Sequence, residues 1–227
     1  MKAMILAAGR GERMRPLTDR LPKPLLPAGG KPLIVRTLEN LRDAGFSDIV
    51  INVAHLGSRM IDHLDNGSQF GVSIVFSDEG EIALETAGGI IRALPLLGNQ
   101  PFLVVNGDIA TDFPFEKLRH RTIDLAHLVL VDNPTHHPKG DFGFIDDELL
   151  TTDAAEKFTF SGIGVYDPAL FRELTPEKTK LAPILREAMA IQRVSGEKFE
   201  GFWMDIGTPE RLDELDHYYQ QRGNHHV

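Results

Sequence analysis

Two hydrophobic periods alternate along the first half of the chain. Short apolar runs rich in β-branched residues predict buried strands, and apolar residues spaced three or four positions apart predict helices. The predicted strands cover residues 3–6, 49–53, 72–76 and 102–106. The predicted helices between them cover residues 32–44, 55–64 and 88–97. Strands that alternate with helices in this way favour parallel β-α-β units with right-handed crossovers.

The second half of the chain is less regular. Residues 126–131, 159–166 and 199–202 predict strands, residues 142–145 predict a further short strand, and residues 181–191 predict a helix. The start of a last helix is clear at Thr208-Pro209-Glu210. Threonine caps a helix, proline suits its first position, and a carboxylate favours the positive end of its dipole. We expect this helix to extend to about Tyr219.

Together these elements predict an α/β fold. We expect a doubly wound, mostly parallel mixed sheet of Rossmann-like type, followed by an irregular second lobe. Such a sheet binds its ligands at the carboxyl ends of its strands. We expect one domain over residues 1–227, with a first lobe at about 1–110, a second lobe at about 111–219, and a frayed tail at 220–227.

The composition narrows the class of protein. The chain has 227 residues, of which 42% are hydrophobic and 25% are charged, as is usual for a soluble globular protein. It has no cysteine, which excludes disulfides and thiolate metal sites. We see no signal-peptide pattern and no apolar stretch of about 18 residues. We therefore expect a cytoplasmic protein without a membrane partner.

The charge is unevenly distributed. The formal net charge of −9 argues against binding to nucleic acid. Residues 1–36, however, hold eight lysines and arginines against two carboxylates, so this segment carries +6 and the rest of the chain carries −15. A cationic segment on an acidic protein fits a small polyanionic ligand that is held at one site.

A glycine turn follows the first predicted strand. Gly9 and Gly11 let backbone N–H groups approach phosphate oxygens, and Arg13 can donate two parallel hydrogen bonds to a phosphate. The turn is not a dinucleotide-binding fingerprint, because Met14 stands where a third glycine is required. We therefore interpret it as a loop that surrounds a nucleoside triphosphate.

A single lysine stands between two prolines in the same basic segment. Pro24 favours an extended backbone at Lys23, and Pro22 stiffens the other side. Lysine acts as a point charge toward phosphate. This pattern is typical of one catalytic cation held on a rigid segment.

The basic segment resembles the signature of the sugar-1-phosphate nucleotidylyltransferases. The similar residues are Leu6-Ala7-Ala8-Gly9-x-Gly11-x-Arg13-Met14 with Pro22-Lys23-Pro24. Three further segments extend the resemblance over nearly the whole chain. The first is similar to the family's base-recognition loop: Leu84-Glu85-Thr86-Ala87-Gly88-Gly89. The other two are similar to the segments that contain the family's two metal-binding aspartates: Asn106-Gly107-Asp108 and Trp203-Met204-Asp205-Ile206-Gly207-Thr208-Pro209-Glu210.

The resemblance implies a role for each matching residue. Arg13, Lys23 and Asp108 are the implied catalytic residues, and Asp108 and Asp205 the implied ligands of Mg²⁺. The implied nucleotide-binding residues are Leu6, Ala8, Gly9, Gly11, Arg13, Lys23, Glu79, Glu85, Thr86 and Gly107. The implied sugar-binding residues are Asn106, Gly140, Asp141 and Ser161. The first lobe becomes the nucleotide-binding lobe and the second the sugar-binding lobe.

The resemblance implies a reaction that joins two anionic substrates, UTP and a sugar 1-phosphate. Magnesium suits this site, because it prefers few carboxylates together with water and phosphate oxygens. The attacking phosphate is already ionised, so positioning and charge stabilisation suffice without a general base. The stretches Lys139-Gly140-Asp141-Phe142 and Phe160-Ser161-Gly162 are most similar to members that act on N-acetylmuramate 1-phosphate, which implies a role in cell-wall sugar recycling. We expect a monomer or a small homo-oligomer.

Several alternatives stay open at this point. The sugar could be mannose or glucose with GTP or another triphosphate, or the chain could be a non-catalytic nucleotide-binding subunit. The two aspartates could each simply cap a turn. Lys157 and Lys180 are both candidates for the cation that contacts the sugar phosphate, and Lys139 and His137 for the partner of a lactyl carboxylate.

Overall fold

A seven-stranded sheet runs through the described part of the chain, residues 1–81 and 83–223 of this computed structural model. Its strands are β1 (Ala3–Leu6), β2 (Asp48–Val53), β3 (Ser73–Asp78), β4 (Phe102–Asn106), β5 (Ala126–Val131), β6 (Thr159–Tyr166) and β7 (Val194–Phe199). Their order across the sheet is β7-β5-β6-β4-β1-β2-β3. The strands β1 to β4 are parallel, β7 is parallel to β5, and β6 is antiparallel to both neighbours. The predicted mostly parallel mixed sheet is confirmed.

Helices cover both faces of this sheet, because each central strand is apolar on both sides. The helices α1 (Leu33–Asp43) and α2 (Gly57–Leu64) pack with Ile5 on one face. The helices α3 (Glu85–Leu97) and α4 (Leu181–Ala190) pack with Met4 on the other. None of the helices in residues 1–81 and 83–223 is long and apolar enough to cross a membrane.

Within the described second half of the chain, only β6 runs against the direction of the other strands of this sheet. The register of β6 on β5 shifts between Phe160 and Ile163, and Gly162 has a φ of +82° within this bulge. A small hairpin, Gly143–Phe144 with Leu150–Thr151, lies outside the main sheet. This hairpin includes part of the short strand predicted at residues 142–145.

The strand predicted over residues 199–202 is wrong. The structure has instead the sheet strand β7, which ends at Phe199, and a separate strand Trp203–Asp205, which pairs antiparallel with Ile109–Thr111. The chain bends between them, where the N–H of Phe202 donates to Asp112 Oδ1 at 2.7 Å. The pattern hid β7, an edge strand, because residues 195–198 are Ser-Gly-Glu-Lys and interrupt the apolar positions Val194 and Phe199.

The last helix, α5 (Pro209–Gly223), begins where the capping residues predict and extends past Tyr219. The N–H of Arg211 donates to Thr208 Oγ1 at 3.4 Å. Hydrogen bonds from its own backbone N–H and from the Thr208 side chain lower the pKa of the Glu210 carboxyl below its ordinary value. The rest of the predicted frayed tail, residues 224–227, lies outside the described residues.

A third hydrophobic cluster holds the basic segment of the N-terminus against α5. Its buried members are Met14, Leu26, Ala28, Leu33, Ala110, Ile206, Leu212 and Leu215. A short hairpin, Pro27–Ala28 with Lys31–Pro32, contributes to this contact, and the N–H of Gly29 at its tip donates to Asp216 Oδ1 at 2.7 Å. The glycine turn is therefore fixed between the first strand and the last helix.

This cluster makes a stability prediction. Met14 is fully buried, so Met14→Ala removes its contacts and leaves a cavity that costs about 2–5 kcal/mol of unfolding free energy. Leu17 lies in the same segment but is 42% exposed, and Leu17→Ala should change stability by about 0.5 kcal/mol or less. Urea denaturation of both variants measures the difference. Equal stabilities would show that the cluster does not hold the segment.

Candidate active site

A cavity of about 730 Å³ opens at the carboxyl ends of the parallel strands. Leu6 of β1 pairs with Asn52 of β2 on one side and with Asn106 of β4 on the other, so the three strands end at one level. The residues that line the cavity are Leu6 to Met14, Lys23, Pro24, Asn52, Ala54, His55, Glu79, Glu81, Ala83, Glu85, Thr86, Asn106, Gly107, Asp108, Lys178 and Gly207. All the predicted nucleotide-binding residues are among them.

The glycine turn requires glycine at one position for conformational reasons. Gly11 has a φ of +66°, and a Cβ there would lie 3.0 Å from Thr18 Cγ2. Its carbonyl accepts hydrogen bonds from the N–H of Met14 at 2.8 Å and from Thr18 Oγ1 at 2.9 Å. At Gly9, by contrast, no described atom lies within 4 Å of the Cβ position. Gly9 thus leaves open space for a ligand beside the backbone.

Two of the predicted catalytic residues form an ion pair on the cavity wall. Lys23 Nζ lies 2.6 Å from Asp108 Oδ2, and the lysine side chain is only 10% exposed. The extended backbone predicted at Lys23 is wrong, because Lys23–Leu25 forms a 3₁₀ turn. The N–H of Leu26 donates to the Lys23 carbonyl at 3.0 Å, and this turn bond outweighs the preference that a following proline imposes.

Asp205 lies on the strand next to Asp108. The N–H of Ile206 donates to the Asp108 carbonyl at 2.7 Å, which joins the two acidic segments. Asp205 Oδ1 lies 3.1 Å from His136 Nε2 and 2.5 Å from the NH1 nitrogen of Arg211. Asp205 itself does not line the cavity described above, although Gly207, two residues further along, does.

The two carboxylates match the donor set of a magnesium site. Asp108 Oδ2 pairs with Lys23, and Asp205 Oδ1 pairs with His136 and Arg211. The second oxygen of each carboxylate makes no hydrogen bond or ion pair within residues 1–81 and 83–223. In the same part of the chain, no group of three or more His, Asp or Glu residues could hold a metal. A cation here would therefore need further oxygens from phosphate or water, as Mg²⁺ accepts.

A buried hydrogen-bond chain lies along the side of the cavity formed by Asn52 and Glu79. Asn52 Oδ1 accepts from the N–H of Ala7 at 2.7 Å, and Asn52 Nδ2 donates to Glu79 Oε1 at 2.6 Å. Glu79 Oε2 accepts from the N–H of Leu84 at 2.7 Å. Asn52 is 3% exposed and Glu79 8%, and each oxygen of this predicted nucleotide-binding carboxylate accepts a hydrogen bond from the protein.

The segment predicted to recognise the base begins α3. Glu85 has a φ of +62° at the helix start, and both Glu85 and Thr86 line the cavity. A Cβ at Gly89 would lie 2.5 Å from Glu79 Oε1 and 2.8 Å from Asn52 Nδ2. Glycine at this position therefore lets the helix pack directly on the buried chain of hydrogen bonds.

The predicted sugar-binding residues divide into two groups. Asn106 lines the cavity, and a Cβ at Gly162 would lie 2.5 Å from its Nδ2, so the β6 bulge adjoins the site. Gly140, Asp141 and Ser161 do not line the cavity. Gly140 has a φ of +62° in the loop before β6.

Asp141 and Ser161 hold the β6 bulge in place. Asp141 Oδ2 accepts from the N–H of Phe160 at 2.8 Å, and Asp141 Oδ1 lies 3.1 Å from His137 Nε2. Ser161 is 1% exposed and donates to the carbonyl of Val129 at 2.7 Å. Their side chains are engaged within the second lobe, where they shape the wall beside Asn106.

The sequence analysis missed some cavity residues. Asn52 and Lys178 both line it, whereas the candidate lysines Lys157 and Lys180 do not. Lys178 reaches the cavity because the N–H of Thr179 donates to the Leu84 carbonyl at 3.0 Å, which ties two distant loops together. A polar residue inside the apolar strand at 49–53 was a usable signal for Asn52; no local signal marked Lys178.

Comparison with known proteins agrees with this geometry. Residues 2–222 match the sequence profile named Nucleotidyl transferase. The chain belongs to this family. It is 53% identical over 222 residues to the N-acetylmuramate alpha-1-phosphate uridylyltransferase of Neisseria meningitidis serogroup B, which covers 94% of this chain and 96% of that protein. It is 31% identical to the mannose-1-phosphate guanyltransferase of Saccharomyces cerevisiae over 92% of the chain, which spans 62% of that longer enzyme.

A solved structure has the same fold. A putative glucose-1-phosphate thymidylyltransferase from Bacillus anthracis, crystallised with sucrose, superposes with a TM-score of 0.85 at 22% identity. The match covers 97% of this chain and 95% of the other. At this identity the likeness concerns the fold alone.

The buried hydrogen-bond chain yields a prediction. Glu79→Gln replaces one acceptor oxygen with an NH₂ group, which cannot accept from Asn52 or Leu84. The unsatisfied buried donor should cost about 1–3 kcal/mol of unfolding free energy. Glu81→Gln is the control, because Glu81 is exposed. Denaturation of both variants measures this cost, and an undisturbed Glu79→Gln protein would contradict it.

Proposed function

We propose that this chain transfers UMP from UTP to N-acetylmuramate α-1-phosphate and forms UDP-N-acetylmuramate and pyrophosphate. One observation supports nucleotidyl transfer above the others. The glycine turn, Arg13 and the Lys23–Asp108 pair meet in one cavity, at the ends of three strands. The base and the sugar are taken from the relative that is 53% identical over nearly the full length of both chains.

The proposed mechanism relies on position and charge. A phosphate oxygen of the sugar 1-phosphate attacks the α-phosphorus in line, and the bond to the bridging oxygen of pyrophosphate breaks. The backbone at Gly9 and Gly11 and the Arg13 guanidinium hold the outer phosphates. Lys23 is buried beside Asp108, where its charge stabilises the negative charge at the transferred phosphoryl group.

Magnesium belongs to this proposal as a cofactor. Asp108 and Asp205 would hold it together with phosphate oxygens, since each has one oxygen without a protein partner among the described residues. When bound, the ion offsets the repulsion between the two anionic substrates. A cytoplasmic location, the lack of a nucleic-acid or membrane partner, and a monomeric or small oligomeric state stay predictions.

The substrate assignment is tested with a matrix of four nucleoside triphosphates against the 1-phosphates of N-acetylmuramate, N-acetylglucosamine, glucose and mannose. Pyrophosphate release measures each pair. We expect the highest kcat/KM for UTP with N-acetylmuramate 1-phosphate. A preference for GTP with mannose 1-phosphate would replace the assignment, and no turnover with any pair would favour a non-catalytic subunit.

Asp108→Asn tests the proposed centre. The substitution removes a metal ligand and the partner of Lys23, and we expect kcat/KM to fall by about 10²- to 10³-fold, as for other losses of a charge-stabilising group. Asp48→Asn is the control, because this exposed aspartate lies at the opposite end of β2. Turnover of Asp108→Asn at the parent rate would remove Asp108 from the mechanism.

A further inference from the structure

Arg13 differs from its neighbours in the basic segment. Arg10 pairs with Glu12, and Arg15 pairs with Glu12 and Asp19. No carboxylate of residues 1–81 and 83–223 lies within 4.0 Å of the Arg13 guanidinium, which lines the cavity. An arginine that faces a cavity without a carboxylate partner is suited to bind an anionic ligand.

A second guanidinium, that of Arg211 in the first turn of α5, lies beside Gly207, although Arg211 itself does not line the cavity. The NH1 nitrogen of Arg211 is bound by Asp205 Oδ1 at 2.5 Å and lies 2.9 Å from His136 Nε2. The side chain is only 15% exposed. Asp205 and His136 therefore hold one edge of this planar group, and its other edge is left for another acceptor.

The two guanidiniums meet at Gly207. The Cβ position of this glycine lies 2.5 Å from the NH2 nitrogen of Arg211 and 3.3 Å from the NH1 nitrogen of Arg13. Gly207 also lines the cavity, and a larger residue there would collide with Arg211. The absence of a side chain thus leaves space in which two positive groups converge beside Gly207, where an anion with several oxygens would bridge them.

We propose that Arg211 is a second arginine of the phosphate site and that it binds the departing pyrophosphate together with Arg13. This inference rests on the proposed function. As the bond between the α-phosphorus and the bridging oxygen breaks, its electron pair stays with pyrophosphate, and two guanidiniums offset the added negative charge. Asp205 then has two tasks: one oxygen positions Arg211, and the other is free for the divalent ion.

The direct test is a calorimetric titration of the protein with inorganic pyrophosphate in the presence of EDTA, which excludes metal effects and needs no turnover. We expect Arg211→Met to weaken pyrophosphate binding by about tenfold or more, as for loss of a charged hydrogen bond. Arg222→Met is the control, because Arg222 lies on the same helix but over the Tyr218 ring. Unchanged binding by Arg211→Met would overturn the proposal.

A second variant separates phosphate binding from the positioning of Asp205. Arg211→Lys keeps a positive charge beside Asp205 but lacks the second terminal nitrogen of the guanidinium. This variant should bind pyrophosphate several-fold more weakly, and the magnesium concentration that it requires for activity should not change. In the reverse reaction of the complete enzyme, the KM for pyrophosphate should rise while the KM for the UDP-sugar stays constant. A raised magnesium requirement with normal pyrophosphate binding would show that Arg211 only orients Asp205. Failure of the UMP-transfer assay leaves the titration unaffected, so the two proposals fail separately.

Discussion

The site depends on the position of one short strand between two parallel neighbours. Leu6 pairs with both Asn52 and Asn106, so the polar residues that end β2 and β4 lie on either side of the chain as it leaves β1. The glycine turn begins at this point, and the N–H of Gly107 donates to the Leu6 carbonyl at 2.9 Å. A shift of β1 by one residue would turn its side chains to the opposite faces and separate the turn from Asp108.

The last helix, α5, holds the basic segment that follows the first strand. Met14 packs in a cluster with Ile206 and Leu215, so the basic segment is held between β1 and α5. The same packing brings the strand Trp203–Asp205 beside Asp108 and places Arg211 over Gly207. Burial of apolar side chains thus positions charged groups that would repel one another in the absence of a ligand. The binding of a polyanion would relieve this repulsion.

Several predicted site residues support the site through other groups. Glu79 is a predicted nucleotide-binding residue that lines the cavity, and both of its oxygens accept hydrogen bonds from the protein. Asp141 and Ser161 are predicted sugar-binding residues, and in the structure their side chains hold the β6 bulge beside Asn106. A sequence motif identifies residues that a site requires, but it does not separate those that touch a ligand from those that position the contacting residues.

The sequence by itself determined the central strands, the helices on both faces and the glycine turn, because each follows from local periodicity or from chemistry within a few residues. It predicted neither the edge strand β7, whose central residues 195–198 have no apolar side chain, nor the turn at Lys23, where a hydrogen bond from Leu26 prevails. Only the tertiary structure decided which distant groups meet: Asn52 with Glu79, Lys178 with the cavity, and Arg211 with Arg13 at Gly207. These contacts depend on strand order and on the packing of α5, and no local pattern encodes either.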